Sequence, residues 1–328
     1  MKRREFMALL GGVAAWPFAA RAQQRERMRR IGYIVSGLPA DDPEGQARIT
    51  AFVQGLQQLG WTDGRNLRID IRWGLGDAER LRRYSVELVA LAPDVLLAGG
   101  TGALAALQQE TSTLPIVFAN VQDPVGLGHV HSLARPGGNA TGFMSVEFGL
   151  SGKWLELLKQ VAPQVRRVAV LRNPAAPGGI GALSAIQAVA PSFGVDLTPV
   201  GFRDVDEIER GIAAFARGPS DGVIVTGQLP QDRRNAIIAL AARHRLPAVY
   251  PFRGFVVEGG LLSFGNDQAE PYRLAAGYVD RILKGTKPAD LPVQTPTRFE
   301  TVLNFKTAKT LGLQVPDVVR LRADEVIE

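Results

Sequence analysis

The chain of 328 residues contains no cysteine and only three histidines. The first absence excludes a thiol nucleophile, a zinc ribbon, an iron–sulfur cluster and a disulfide-stapled fold. The second leaves little imidazole for acid–base chemistry or metal binding. His129-x-His131 offers two imidazoles without a third ligand, and His244 sits in Arg243-His244-Arg245 at a basic helix end. No Gly-x4-Gly-Lys-Ser/Thr run occurs, so a phosphate-cradling loop of that type is absent. Beyond the amino terminus no apolar run reaches transmembrane length.

What is present is an ordinary globular composition, 46% hydrophobic and 21% charged, with 36 Gly and 21 Pro. The length suits two lobes, each able to bury its own core. The formal charge of +6 falls to +3 once the first 22 residues are set aside, because Lys2, Arg3, Arg4 and Arg21 face only Glu5 there. Much of the remainder lies in Arg25, Arg27, Arg29 and Arg30, with no basic face interleaved with aromatics, so nucleic acid is not an expected partner.

Lys2-Arg3-Arg4-Glu5-Phe6 followed by an apolar stretch to Ala20 and by Ala20-Arg21-Ala22 reads as an export signal cleaved near Ala22. The paired arginines resemble a twin-arginine signal, with the general secretory route as the alternative. The mature protein is therefore expected in the periplasm.

From Arg30 onward, short apolar strands alternate with amphipathic helices. Ile31–Val35 stops at Ser36-Gly37, and Asp42-Pro43 then reads as an N-cap with proline at the first helical position. Leu67–Trp73 alternates with period two; Asp94–Ala98 leads to Gly99-Gly100-Thr101-Gly102 and a helix; Pro115–Asn120 ends at Asp123-Pro124. The grammar restarts at Arg166-Arg167-Val168-Ala169-Val170-Leu171-Arg172-Asn173, which parallels the opening Arg29–Gly37. Such spacing predicts an α/β fold of two doubly wound parallel-sheet lobes joined by a hinge. The expected division is 1–22 signal peptide, 23–30 basic linker, 31–145 with 253–283 as the N-terminal lobe, and 146–252 with 284–328 as the C-terminal lobe. The crossings are expected near Gly142–Gly149, Pro251–Gly254 and Leu283–Pro292.

Few motifs carry catalysis. Gly218-Pro219-Ser220-Asp221-Gly222 matches a nucleophile elbow, but it precedes a strand where the elbow must follow one. Gly179-x-Gly181 is a partial dinucleotide fingerprint whose third glycine is Ser184. Binding without cofactor or metal is the expected class, not an enzyme. Ser36, Thr101, Asp123 and Asn173 each follow a buried strand, where an open α/β sheet faces its ligand crevice. Arg172 and Arg253 lie at strand ends and are candidates to hold a carboxylate, with Asp123 to receive an ammonium group. Trp73, Tyr250, Phe252 and Phe264 are candidate apolar walls.

Asp123-Pro124-Val125-Gly126, Leu133-Ala134-Arg135-Pro136-Gly137-Gly138-Asn139-Ala140-Thr141-Gly142, Asn304–Leu313 and Ala323-Asp324-Glu325-Val326-Ile327 together resemble ABC transporter substrate-binding proteins, in the branch that includes tryptophan/tyrosine-type binding proteins. The resemblance spans essentially the whole mature chain. It implies a periplasmic binding protein fold of type I, a ligand between two lobes, and ligand-facing loops carrying Ser36, Thr101 and Asp123. Arg172 and Arg253, with the helix N-termini near Ser36 and Thr101, make a small carboxylate-bearing ligand the expectation, an amino acid or an aromatic or branched acid, captured by a monomer that delivers it to an ABC permease. The loop Leu38–Pro43 lacks the histidine-containing stretch of the tryptophan-type pattern, which weakens the case for an aromatic amino acid. A periplasmic ligand-sensing module and, further off, a secreted hydrolase are the alternatives.

Overall fold

Five strands alternate with helices to make the first sheet. In the computed structural model, which describes residues 27–145, 148–174 and 177–328, the chain runs β1 (Arg29–Val35), α1 (Pro43–Gln58), β2 (Leu67–Trp73), α2 (Ala78–Ala90), β3 (Val95–Gly99), α3 (Thr101–Glu110), β4 (Ile116–Val121) and β5 (Ala140–Met144). The order is β2-β1-β3-β4-β5 and every neighbouring pair is parallel. Ile31, Tyr33 and Val35 pack into one core with Phe52 and Leu56 of α1, while Ile34 packs on the other face with Leu88 of α2 and Leu104 of α3. This two-sided burial is why β1 reads as a continuous apolar run. The start of α1 follows the local signal: Asp42 Oδ1 accepts from the backbone N–H of Glu44 at 2.9 Å and of Gly45 at 3.2 Å.

The second lobe contains α4 (Gly152–Val161), β6 (Arg167–Arg172), α5 (Pro177–Val189), β7 (Asp196–Gly201), α6 (Val205–Phe215), β8 (Asp221–Val225), α7 (Gln231–Arg243), β9 (Ala248–Tyr250), α8 (Arg253–Val257) and β10 (Leu262–Gly265). The chain then returns to the first lobe for α9 (Glu270–Leu283) and comes back as β11 (Glu300–Asn304), α10 (Phe305–Thr310), α11 (Asp317–Arg322) and β12 (Glu325–Ile327). The sheet order is β12-β11-β10-β9-β8-β6-β7, parallel apart from the antiparallel pair β10 and β11. Both sheets thus repeat a doubly wound pattern in which the first strand lies between the second and third.

Two expected boundaries shift. Residues 253–265 belong to the second lobe, because Leu262 and Ser263 pair with Val249 and Tyr250 of β9. Helix α9 alone from the expected 253–283 span packs on the first sheet, approaching α1 so closely that a Cβ at Gly55 would lie 2.8 Å from Ala276. Residues 284–294 stay on the first lobe: Thr141 Oγ1 donates to the Leu291 carbonyl at 2.5 Å, and the Gln294 N–H donates to the Gly142 carbonyl at 2.9 Å. The chain therefore passes from lobe to lobe between β5 and α4, between Gly265 and Glu270, and between Gln294 and Glu300. The last two do not lie at the expected Pro251–Gly254 and Leu283–Pro292. Periodicity identifies a strand but not the sheet that it joins, which is settled by the partner edge. The export signal, its cleavage point and residues 23–26 of the basic linker lie outside the described residues.

Candidate ligand cleft

In an open parallel sheet of this order the crevice forms where neighbouring strands send their connections to opposite faces. That point lies between β1 and β3 in the first lobe and between β6 and β8 in the second. The two points face each other. Between them is a cavity of about 190 Å³, lined by Ser36, Thr101, Asn120 and Gln122 from one lobe and by Asn173, Gly179, Thr226 and Gln228 from the other. A second cavity of about 330 Å³ lies beside the hinge, between α9 and residues 294–300, away from both switch points.

Of the residues singled out from sequence, Ser36, Thr101 and Asn173 line this interlobe cavity. Thr101 Oγ1 accepts from the Gln122 N–H at 3.2 Å, tying the start of α3 to the end of β4. Arg172 stands behind Asn173, with a buried Nε that has no hydrogen-bond partner, and it is not among the lining residues. Asp123 caps its own turn instead: Oδ1 accepts from the Gly126 N–H at 2.9 Å, and the backbone is left-handed at φ 38°. Arg253 opens α8 and forms a bidentate pair with Glu325, both N–O distances being 2.7 Å. Its hydrogen bonds hold the Glu325 carboxyl below the usual carboxylate range. The four candidate aromatic walls are used elsewhere: Trp73 packs against the first-lobe core, Tyr250 stacks on Phe255, Phe252 is buried in the second-lobe core, and Phe264 stacks on Phe299. His129 Nδ1 lies 2.7 Å from Gln108 Oε1, and among the described residues no cluster of three His, Cys, Asp or Glu is placed to hold a metal ion.

The residues not anticipated are more informative. Arg48, 3% exposed, rises from α1 and links the lobes. Its Nη1 donates to Gln228 Oε1 at 2.8 Å, and its Nη2 donates to Glu44 Oε1 at 2.5 Å and to Gln268 Oε1 at 3.3 Å. Burial opposes its charge, but the charge of Glu44, then Tyr272 and the Glu44 hydrogen bond, outweigh that, so the guanidinium holds its proton more tightly than usual. Arg48 forms the wall between the 190 Å³ cavity and an outer groove of about 450 Å³ lined by Glu44, Arg234, Arg253, Glu258, Asp267 and Glu300. Arg234, equally enclosed at 2% exposed, sits on α7. It pairs with Glu258 of its own lobe at 2.9 Å and reaches Glu44 at 3.4 Å and Asp42 at 3.5 Å across the cleft.

Asn120 owes its place to an irregularity in β4. The register with β5 shifts between Ala119 and Val121, and Asn120 adopts φ 57°, a conformation asparagine tolerates better than most residues. The bulge lets Nδ2 donate to the Gln268 carbonyl at 3.0 Å, which ties β4 to the second hinge crossing.

A signal for the two arginines was present in the sequence. Gly45, Arg48, Ala51, Phe52, Gly55 and Leu56 form the buried stripe of α1, and Arg234, Ile237, Leu240 and Ala241 that of α7. An arginine inside an apolar helical stripe is rarely buried without partners. Thr226 and Gln228 follow β8 as Thr101 follows β3, so the repeat itself pointed to them.

Two opposed switch points around one cavity define a bilobal binding protein of the periplasmic type I-like class. The chain belongs to the ABC transporter substrate binding protein family, which it matches over residues 39–327. It is similar to a tyrosine-binding protein of Clostridioides difficile (strain R20291), with 26% identity over 279 residues that cover 84% of this chain and 78% of that one. Among solved structures it resembles the ABC domain from Streptococcus pneumonia in complex with L-Trp, at 25% identity and TM-score 0.82, covering 91% of this chain and 99% of the other. It also resembles the ligand-free, open structure of a substrate binding protein with adhesive properties from Clostridium difficile, at the same identity and coverage but TM-score 0.65. Among the described residues no helix is long and apolar enough to cross a membrane.

Proposed function

We propose that this chain is the periplasmic solute-binding component of an ABC importer, exported by its amino-terminal signal. In this reading it captures a small carboxylate-bearing ligand, an amino acid or an aromatic or branched acid, between its lobes and presents it to a membrane permease. The observation that carries the reading is the cavity built jointly by the two switch points, with Ser36 and Thr101 on one side and Asn173 on the other. The N-terminus of α3 at Gly100 has no side-chain cap, so its free N–H groups and partial positive charge are available to an acid group. The greater likeness to the L-Trp complex than to the open, ligand-free relative supports a closed arrangement of the lobes here. No catalytic step is assigned to the cleft.

Ligand contacts made by both lobes favour the closed state, and the chain acts as a monomeric hinge. Calorimetric titration of the mature protein with amino acids, aliphatic acids and aromatic acids tests the binding step. Uptake of the bound acid by cells with and without the protein tests delivery. Binding of an acid that is recovered unchanged, with uptake lost in the deletion strain, is the expected result. Failure of every acid to bind, or its chemical conversion on incubation, would overturn the reading.

A further inference from the structure

The hydrogen-bonding roles of the cavity side chains are set by their neighbours. Asn120 gives its amide N–H to the Gln268 carbonyl, so Oδ1 is the free atom, and it is buried with no partner. Gln228 accepts from Arg48 through Oε1, so its buried and unpartnered Nε2 is left as a donor. Arg48 Nε is likewise a buried donor with no partner. Thr226 donates its hydroxyl to the Leu171 carbonyl at 3.0 Å, leaving only lone pairs. Unmet buried polar groups are uncommon in folded proteins, and three in one cavity call for a ligand that meets them.

Charge and shape narrow that ligand. Among the described residues that line the cavity, Arg48 is the one charged side chain, and none is a carboxylate or an aromatic ring. The nearest carboxylate on Arg48, that of Glu44, gives one oxygen to Arg48 and the other to Arg234, while Asp42 caps α1 with one oxygen and faces Arg234 with the other. A buried ammonium group would bring three N–H donors and a positive charge beside a guanidinium, with no opposite charge among the described lining residues. A hydroxyl brings one donor, for which Asn120 Oδ1 is a fixed acceptor. An acid group matches the donors Arg48 Nε and Gln228 Nε2 and the uncapped start of α3. The volume of about 190 Å³ lies below the roughly 300 Å³ at which pockets begin to hold drug-sized ligands.

We infer that the cleft selects a small aliphatic hydroxy acid over the amino acid of the same skeleton. The inference rests on the reading of the cleft as an acid-binding site and specifies its ligand class. It sets this chain apart from relatives whose ligands are tyrosine and L-Trp.

The test is a matched pair: (S)-2-hydroxy-3-methylbutanoate against L-valine, titrated calorimetrically into the mature protein, with L-tyrosine and L-tryptophan alongside. The expected result is that the hydroxy acid binds at least thirtyfold tighter than valine. Equal or tighter binding of valine, tyrosine or tryptophan overturns the hydroxy-acid assignment and leaves the acid-binding cleft standing; no binding of any of the four removes both. In Asn120→Asp, which places a carboxylate where the hydroxyl acceptor was, the preference should swing toward valine by at least tenfold. A folded Asn120→Asp protein with unchanged preference would also count against the assignment.

Discussion

Glu44, in the first turn of α1, shares its carboxylate between two arginines from opposite sides of the cleft: Oε1 lies 2.5 Å from Arg48 of the same helix and Oε2 lies 3.4 Å from Arg234 of the other lobe. Arg48 in turn reaches Gln228 of the second lobe, so each lobe sends a buried guanidinium toward the other. The pairs lie at the rim of the ligand cavity, where Arg48 forms the wall. The Arg48–Gln228 and Arg234–Glu44 contacts each join the two lobes, so the hinge closure proposed above would make and bury them together.

Replacing Arg234 with Met keeps most of its volume and leaves Asp42, Glu44 and Glu258 without their shared cation. The expected loss in unfolding free energy is about 3 kcal/mol, the scale for breaking a buried pair from one side. Solution scattering should show a larger radius of gyration than wild type at saturating acid. An unchanged radius together with unchanged denaturant midpoint would show that the latch is idle.

Arg48→Lys retains the charge but replaces a planar fork by a single ammonium that cannot meet Glu44, Gln228 and Gln268 together. Acid affinity should fall at least tenfold while stability drops by about 1–2 kcal/mol. Calorimetry and urea unfolding of the same preparation separate the two effects.

Gly265 ends β10 at the second hinge crossing, and a Cβ there would overlap the Pro251 carbonyl oxygen. Because the obstacle is backbone, Gly265→Ala should destabilise by about 2 kcal/mol or more. Gly254→Ala nearby, where a Cβ meets nothing within 4 Å, should be nearly neutral by the same thermal unfolding assay.

Burial, and then the charge of Asp267, raise the Glu300 carboxyl above its usual range. A folded pKa above the unfolded one means that ionisation costs stability. The cost is absent at pH well below about 4.3 and grows as pH rises through the raised folded value. Glu300→Gln should therefore raise the Tm at pH 7 by about 1–2 °C, equivalent to roughly 0.5 kcal/mol. That gain should shrink toward zero as the buffer is taken down to pH 4.

Changing Arg3 and Arg4 together to Lys should leave the precursor uncleaved in the cytoplasm if the twin-arginine route is used. Normal processing of the doubly substituted precursor, followed by immunoblotting of periplasmic fractions, would assign export to the general secretory route.

The strands, the helices and their doubling were legible in the sequence because local chemistry dictates them. Ile31–Val35 and Val168–Leu171 are apolar on both faces and so must be covered on both; Asp42-Pro43 starts α1 by satisfying its own free N–H groups. Ser36, Thr101 and Asn173 were legible for the same reason, since a polar residue after a buried parallel strand lies at the carboxyl edge of the sheet. Arg253 and Asp123 carried the same local pattern yet found partners outside the cavity, in Glu325 and in the Gly126 N–H. Arg48, Asn120, Gln228 and Arg234 became a constellation only through tertiary structure. Their contacts join residues far apart in sequence, and Asn120 depends on a bulge in β4 that no periodicity announces. Local sequence determines which segments form strands and helices through short-range burial and capping. Which polar side chains meet across the cleft depends on how the two sheets are set against each other by the segments that join them.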